Sequence, residues 1–204
     1  KELFKNENTY YKTDHHWTIP TAFFSTGVLI EHLNMKYAAN LDPDGYYRDL
    51  SHYTSECYAD IYLGSQGRDA GAVYSGLDDY TYIYPKFSTS FRYESRSRSQ
   101  KTSEEEEGDI FETLISRKYL DYEDIYEREM NNSYMHGISL IDQIENLDNQ
   151  DGPSMMFIRD SYTSPVAVFL APMCSEIDML WSVYCEPKSV EKAIDSKDFD
   201  YIFV

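Results

Sequence analysis

Asp14, His16 and Ser161 are the residues of this chain whose types suit nucleophilic chemistry. A serine hydroxyl is a weak nucleophile at neutral pH. It needs a neutral imidazole to take its proton, and a carboxylate to fix the tautomer and stabilise the imidazolium. The stretch Thr13-Asp14-His15-His16-Trp17-Thr18 offers that carboxylate and an imidazole two positions apart. Ser161 stands in Met155-Met156-Phe157-Ile158-Arg159-Asp160-Ser161-Tyr162-Thr163-Ser164-Pro165. The apolar run Met155 to Ile158 predicts a short strand covered on both faces, broken at Asp160-Ser161. Thr163 and Ser164 suit a helix N-cap, Pro165 its first turn, and Val166 to Ala171 its body. A serine at such a turn meets backbone N–H groups and a helix dipole that favour developing negative charge. Taken alone, Asp160-Ser161 reads better as a capping pair; the Asp-His stretch is what shifts the balance. Asp14, His15 and His16 also form a candidate metal set. Adjacent histidines in an extended segment point to opposite sides, so no metal is expected, and no cofactor.

The elements that must position these groups follow from the rest of the chain. Ala22, Phe23, Val28, Leu29, Ile30 and Leu33 recur at helical spacing, which predicts a helix over 19–34 entered from the Asp14–Trp17 loop. Residues 35–93 are rich in Tyr set among Asp, Gly and Ser, and Tyr80-Thr81-Tyr82-Ile83-Tyr84 alternates as a strand does. Gly64-Ser65-Gln66-Gly67-Arg68-Asp69-Ala70-Gly71 is a loop that matches neither a P-loop nor a dinucleotide fingerprint. Residues 94–109, with the run Glu104 to Glu107, predict an exposed, mobile excursion, best read as a solvated hairpin tip. Residues 110–149 predict short mixed elements, with a helix over 121–130 and an apolar-faced element at 138–147. Strand, helix, strand, helix, strand over 154–204 predicts a parallel sheet with crossover helices, where ligands bind beyond the carboxyl ends of the strands.

The composition narrows the function classes. The chain has 204 residues, enough for one domain with a sizeable core. Its 18 basic residues against 36 acidic ones give a net charge of −18, which argues against nucleic acid or an anionic membrane as partner. The 20 tyrosines suit sugar-like ligands, and equally suit cores and strand faces. Cys57, Cys174 and Cys185 form no disulfide framework and no CxxC zinc motif, though a Cys174–Cys185 pair stays open. No stretch is long and apolar enough for a membrane span, and no signal peptide is seen. A start at Lys1-Glu2-Leu3-Phe4 without Met suggests a trimmed fragment whose export signal or anchor lies upstream.

Tyr11-Lys12-Thr13-Asp14-His15-His16-Trp17-Thr18 resembles the signature of the bacterial DHHW protein family, which is related to the SGNH-hydrolase-like domains of alginate O-acetyltransferases. Tyr62-Leu63-Gly64-Ser65-Gln66-Gly67 with Gly71, Asp78-Asp79 before Pro85, and Ile158-Arg159-Asp160-Ser161-Tyr162 resemble its further blocks, with Arg159 in place of a common Gly. The likeness covers about residues 10–204. It implies an α/β, three-layer SGNH-hydrolase-like (flavodoxin-like) domain over 1–204. A central parallel sheet, the Asp-His block ahead of the Ser block, and a Tyr-rich β/loop insertion over 35–110 go with it. It also implies a serine O-acyl esterase or O-acetyltransferase working on cell-surface carbohydrate through an acyl-serine. Ser161 would be the nucleophile, His16 the base and Asp14 its orienting acid, the one-residue separation selecting His16 over His15. The backbone N–H groups of Ser161 and Gly64 would form the oxyanion hole; the Asn many such enzymes use has no place in the sequence pattern. Arg159, Tyr162 and His15 are the candidate substrate-binding residues, with a local ion pair as the other reading of Arg159. An extracellular or cell-surface location, an acylated glycan and a membrane acyl-donor partner protein belong to the same expectation. The competing expectation is a non-catalytic cell-envelope or glycan-binding module that keeps the fold.

Overall fold

The computed structural model describes residues 9–97, 103–137 and 139–204. They form an α/β protein in two compact units: residues 9–87 with 117–133, and the described residues of 88–116 with those of 134–204.

The first unit is a helix and a two-stranded ribbon. Helix α1 (Ile19–Tyr37) carries Pro20 in its first turn, buries Ile19, Ala22, Thr26, Ile30 and Leu33 as one stripe, and stops at Ala38 in the left-handed region. Strand β1 (Tyr53–Tyr62) leads through two short helices, α2 (Ser65–Ala70) and α3 (Ala72–Ser75), to strand β2 (Asp78–Pro85). The strands pair antiparallel from Tyr53↔Pro85 to Tyr58↔Tyr80. The register then slips so that Tyr62 faces Asp78, with Asp60 at φ 51° and its N–H given to Asp79. This irregularity re-aims the end of β1. Tyr11, Tyr62, Tyr80 and Tyr82 are buried together, their neighbouring rings 4.9–5.9 Å apart. The Tyr-rich stretch is thus largely core on one face of the ribbon, as aromatic pairing favours. The helix predicted over 121–130 is absent. Turns and 3₁₀ segments at Lys118–Leu120 and Met130–Ser133 occupy this region instead, because the acidic run between them has no continuous apolar stripe to bury.

The second unit is built on a six-stranded sheet of order β4-β3-β5-β7-β6-β8. Its strands are β3 (Phe91–Arg96), β4 (Glu104–Gly108), β5 (Ile141–Asn146), β6 (Ser154–Arg159), β7 (Glu176–Trp181) and β8 (Tyr201–Phe203). β6 runs parallel to β7 and β8, as the C-terminal pattern predicts. The sheet as a whole is mixed rather than parallel, because β5 joins β7 antiparallel and the β3–β4 hairpin extends that side. Helix α4 (Ile110–Thr113) is opened by a capping box between Asp109 and Glu112. Helix α5 (Thr163–Leu170) is buried from Ser164 onward, and α6 (Pro187–Ile194) precedes β8. The predicted excursion at 94–109 is an antiparallel hairpin over its described part; residues 98–102 lie outside the described residues. Four glutamates form an edge strand because Arg92 on β3 meets Glu107 at 2.9 Å and Glu105 at 3.8 Å, and because charge is tolerated on an edge.

Asp178, on β7, is buried, and its Oδ1 has no hydrogen-bond partner among the described residues. Burial and nearby Glu176 push its carboxyl up to about 6, against Lys197 at 3.3 Å and Gln143 at 3.0 Å. The unfolded value is about 3.9, so the ionised carboxylate costs stability above about pH 6, and protonation relieves that cost as pH falls toward about 4. Asp178→Asn should therefore stabilise the fold by on the order of 1 kcal/mol at about pH 8 and lose that advantage near pH 4, read from melting curves at both values. The three cysteines are free thiols.

Candidate functional site

The Asp-His stretch is a tight loop, not an extended segment. A bridge between Tyr10 and Trp17 closes it, with Tyr11 N–H donating to the His16 carbonyl at 3.2 Å and Thr18 N–H to Thr9 at 3.0 Å. Asp78, at the start of β2, anchors one side: its carboxylate accepts from Lys12 N–H at 2.9 Å, Thr13 N–H at 2.7 Å and the Thr13 hydroxyl at 2.7 Å. The segment after β1 anchors the other. Gly64 N–H donates to the Thr13 hydroxyl at 2.8 Å, and Gly67 N–H to the Thr13 carbonyl at 2.9 Å. A Cβ at Gly64 would lie 2.3 Å from the Asp14 Cβ, so only glycine admits this approach.

Asp14 is 3 % exposed and its two oxygens have divided duties. Oδ2 accepts from Ser65 N–H at 2.9 Å and the Ser65 hydroxyl at 3.2 Å. Oδ1 accepts from His16 N–H at 2.9 Å and from His16 Nδ1 at 2.5 Å. Burial pushes the Asp14 carboxyl upward, but the hydrogen bonds from the His16 ring and from the Ser65 and His16 backbone outweigh it and hold it well below the usual carboxylate range. Asp14 is therefore an anion that fixes the proton of His16 on Nδ1, and the lone pair of the neutral ring falls on Nε2. That is the tautomer a general base needs.

His15 is exposed and its ring lies 4.0 Å from that of His16, so the neighbouring histidines share a side. The expectation of opposed rings fails because the loop turns where an extended segment was assumed. Asp14, His15 and His16 place one potential ligand atom each within 4.8 Å of one another. Their carboxylate is already committed to His16, Ser65 and Asn131, which makes the set a hydrogen-bonded cluster.

Asn131 belongs to this cluster and was not legible in the sequence. Its Nδ2 donates to Asp14 Oδ1 at 3.1 Å and to the Tyr62 hydroxyl at 2.5 Å, and lies 2.9 Å from His16 Nδ1. Burial, followed by the Asp14 charge, pushes the Tyr62 phenol far up. Gly64, expected as an oxyanion donor, is not one in this structure, because its N–H is taken by Thr13.

In the second unit Ser161 lies, as expected, between a strand and a helix. Asp160 shapes the turn by accepting from Tyr162 N–H at 3.0 Å, and α5 follows from Thr163. Ser161 and Tyr162 are both half-buried. Arg159 is 3 % exposed, and its guanidinium pairs with the Asp142 carboxylate, donates to the Ser164 hydroxyl at 3.3 Å and stacks on Trp181 at 4.8 Å. Its expected role as a ligand for an anionic sugar is corrected: the cation is spent on the local ion pair, which secures both flanks of the Ser161 turn.

This fold is found in solved structures. The chain has the fold of a DHHW family protein. That protein, from Eubacterium siraeum DSM 15702, matches 99% of this chain at 19% identity and a TM-score of 0.67. Bacillus cereus PatB1 with a sulfonyl adduct matches 99% at 18% identity and a TM-score of 0.71, and a second structure of PatB1 matches 96% at 18% identity and 0.66. The chain spans 60%, 64% and 61% of the lengths of those three chains. No protein-family model matches the sequence, and no curated protein matches it. The DHHW resemblance read from Asp14-His15-His16-Trp17 thus has a counterpart in the fold. Among the described residues no helix is long and apolar enough to cross a membrane.

Proposed function

We propose that this protein is an SGNH-like serine O-acyl esterase or O-acetyltransferase acting on cell-surface carbohydrate. The observation that carries the reading is the buried Asp14 carboxylate holding His16 Nδ1 at 2.5 Å, which presents Nε2 as a base. In this reading Ser161 Oγ attacks an ester carbonyl while His16 Nε2 takes its proton. The leaving alcohol receives that proton, and an acyl-serine remains. Water then gives hydrolysis, or a sugar hydroxyl gives transfer; His16 takes the proton of the incoming group and returns it to Ser161. The Ser161 N–H is the one oxyanion donor this reading retains from the sequence. The sulfonyl adduct on PatB1 supports the reading, since sulfonylation is a reaction of activated nucleophiles. A three-layer SGNH-like arrangement, an exported location, a glycan acceptor and a membrane acyl-donor protein complete the proposal.

The second reading is a glycan-binding module without turnover, favoured by the commitment of Gly64 N–H to Thr13. Incubation with a sulfonyl fluoride and, separately, with an aryl acetate distinguishes the two. Intact-mass and peptide mapping should find the adduct on Ser161 and none in Ser161→Ala. A folded wild type with neither adduct nor turnover rejects the enzyme reading, and a glycan-binding screen then tests the module.

A further inference from the structure

We propose that Asn131 is a positioning residue for the Asp14–His16 pair, holding Asp14 Oδ1 against the Nδ1 side of the imidazole. The inference rests on His16 being the base of the proposed chemistry. Nδ1 has Asp14 Oδ1 at 2.5 Å and the Asn131 amide nitrogen at 2.9 Å, so two side chains occupy its polar surroundings. The amide has two hydrogens, and Asp14 Oδ1 and the Tyr62 hydroxyl take them. As a further donor on Oδ1, Asn131 fixes where that oxygen points, so the carboxylate stays aimed at Nδ1 and the proton stays on that nitrogen.

The Asn131 side chain is not needed to seat its own turn. Residues 130–133 are fixed by buried Met130, by Ser133 Oγ at 2.8 Å from the Tyr82 hydroxyl, and by the neighbouring Glu129–Arg68 pair at 2.5 Å. A side chain turned from a well-anchored segment onto a charged pair serves the pair. Its loss leaves the loop in place and opens the Nδ1 side to water, which lets the ring flip or exchange its tautomer.

The test is a long-range ¹H–¹⁵N correlation spectrum of the His16 ring in the whole chain, with aryl acetate kinetics beside it. The wild type should show protonated Nδ1 and a lone pair on Nε2. Asn131→Ala should show mixed tautomers, and kcat should fall about tenfold with KM unchanged. Glu129→Ala, which loosens the same segment without touching the amide, should keep the wild-type spectrum and rate. Should Asn131→Ala fail to fold, Tyr62→Phe removes the amide's other partner and should show the same mixing. A wild-type nitrogen signature in folded Asn131→Ala overturns the proposal, as does an equal effect from Glu129→Ala. The spectrum is readable without turnover, so an inactive wild type would sink the proposed function while leaving this inference to be decided by the nitrogen shifts.

Discussion

Asp14→Asn should lower ester turnover by about three to four orders of magnitude, with the largest share in kcat. The carboxylate has only acceptors, and both oxygens are used: Oδ1 by the His16 ring and backbone, Oδ2 by Ser65 N–H and hydroxyl. An amide must turn its NH₂ toward one of these sets. Facing His16, it meets the Nδ1 hydrogen and drives the ring to the other tautomer, which takes the lone pair away from Nε2. Facing Ser65, it strands the Ser65 N–H at the start of α2. Either choice costs about 1–3 kcal/mol of stability as well. The two effects separate experimentally, in steady-state kinetics on an aryl acetate and in urea unfolding. The sign with pH is also fixed. Because the folded carboxyl is held well below its usual range, its stabilising contribution is present above the unfolded carboxylate pKa and is lost only as pH falls far beneath it. Asp14→Asn should therefore narrow the stability gap to wild type in strong acid. Turnover within tenfold of wild type would show that His16 is not the base.

Asp142→Ala should cost about 3–5 kcal/mol, shifting the urea midpoint at neutral pH by most of the protein's margin. Asp142 is fully buried, and it neutralises an Arg159 guanidinium that is equally shielded from water. It also accepts from the Tyr93 hydroxyl at 2.6 Å, and burial together with that carboxylate pushes the phenol well above its ordinary range. Alanine leaves a buried cation without a counter-charge and a buried hydroxyl with a weakened acceptor set. Replacing the pair together, as Asp142→Leu with Arg159→Met, should cost far less, because no charge is then stranded. If the single and double variants unfold at the same urea concentration, the ion pair does not carry the stability assigned to it.

Part of this molecule was legible in its sequence because the signals are local. The Asp-His pair, the strand that breaks at Asp160 and the α1 stripe all involve residues within a few turns of chain. The parallel pairing of β6 with β7 and β8 follows from the same short-range pattern. What escaped depends on distant partners. Nothing near Asn131 announces that its amide meets Asp14, 117 positions away. Gly64 looks like a ligand-facing glycine until Thr13 claims its N–H. The hairpin over 94–109 is legible in the sequence, but the pairing of the β4 glutamates with Arg92 is not, because that cation lies on another strand. One local feature escaped as well: His15 and His16 share a side because the bridge from Tyr10 to Trp17 folds the loop, a closure their residue types do not announce.

Neither compact unit is one continuous stretch of chain, since residues 117–133 belong with 9–87. On the ribosome, the loop holding Asp14 and His16 can form its internal hydrogen bond as soon as it emerges. The unit that houses it stays unfinished until residue 133 is out. The nascent chain must hold open a closure more than a hundred residues long, and the strands of the other unit begin to appear in the interval. The hydrogen-bonded Asp14–His16 pair thus precedes in synthesis, by more than a hundred residues, the Asn131 contact that completes its cluster.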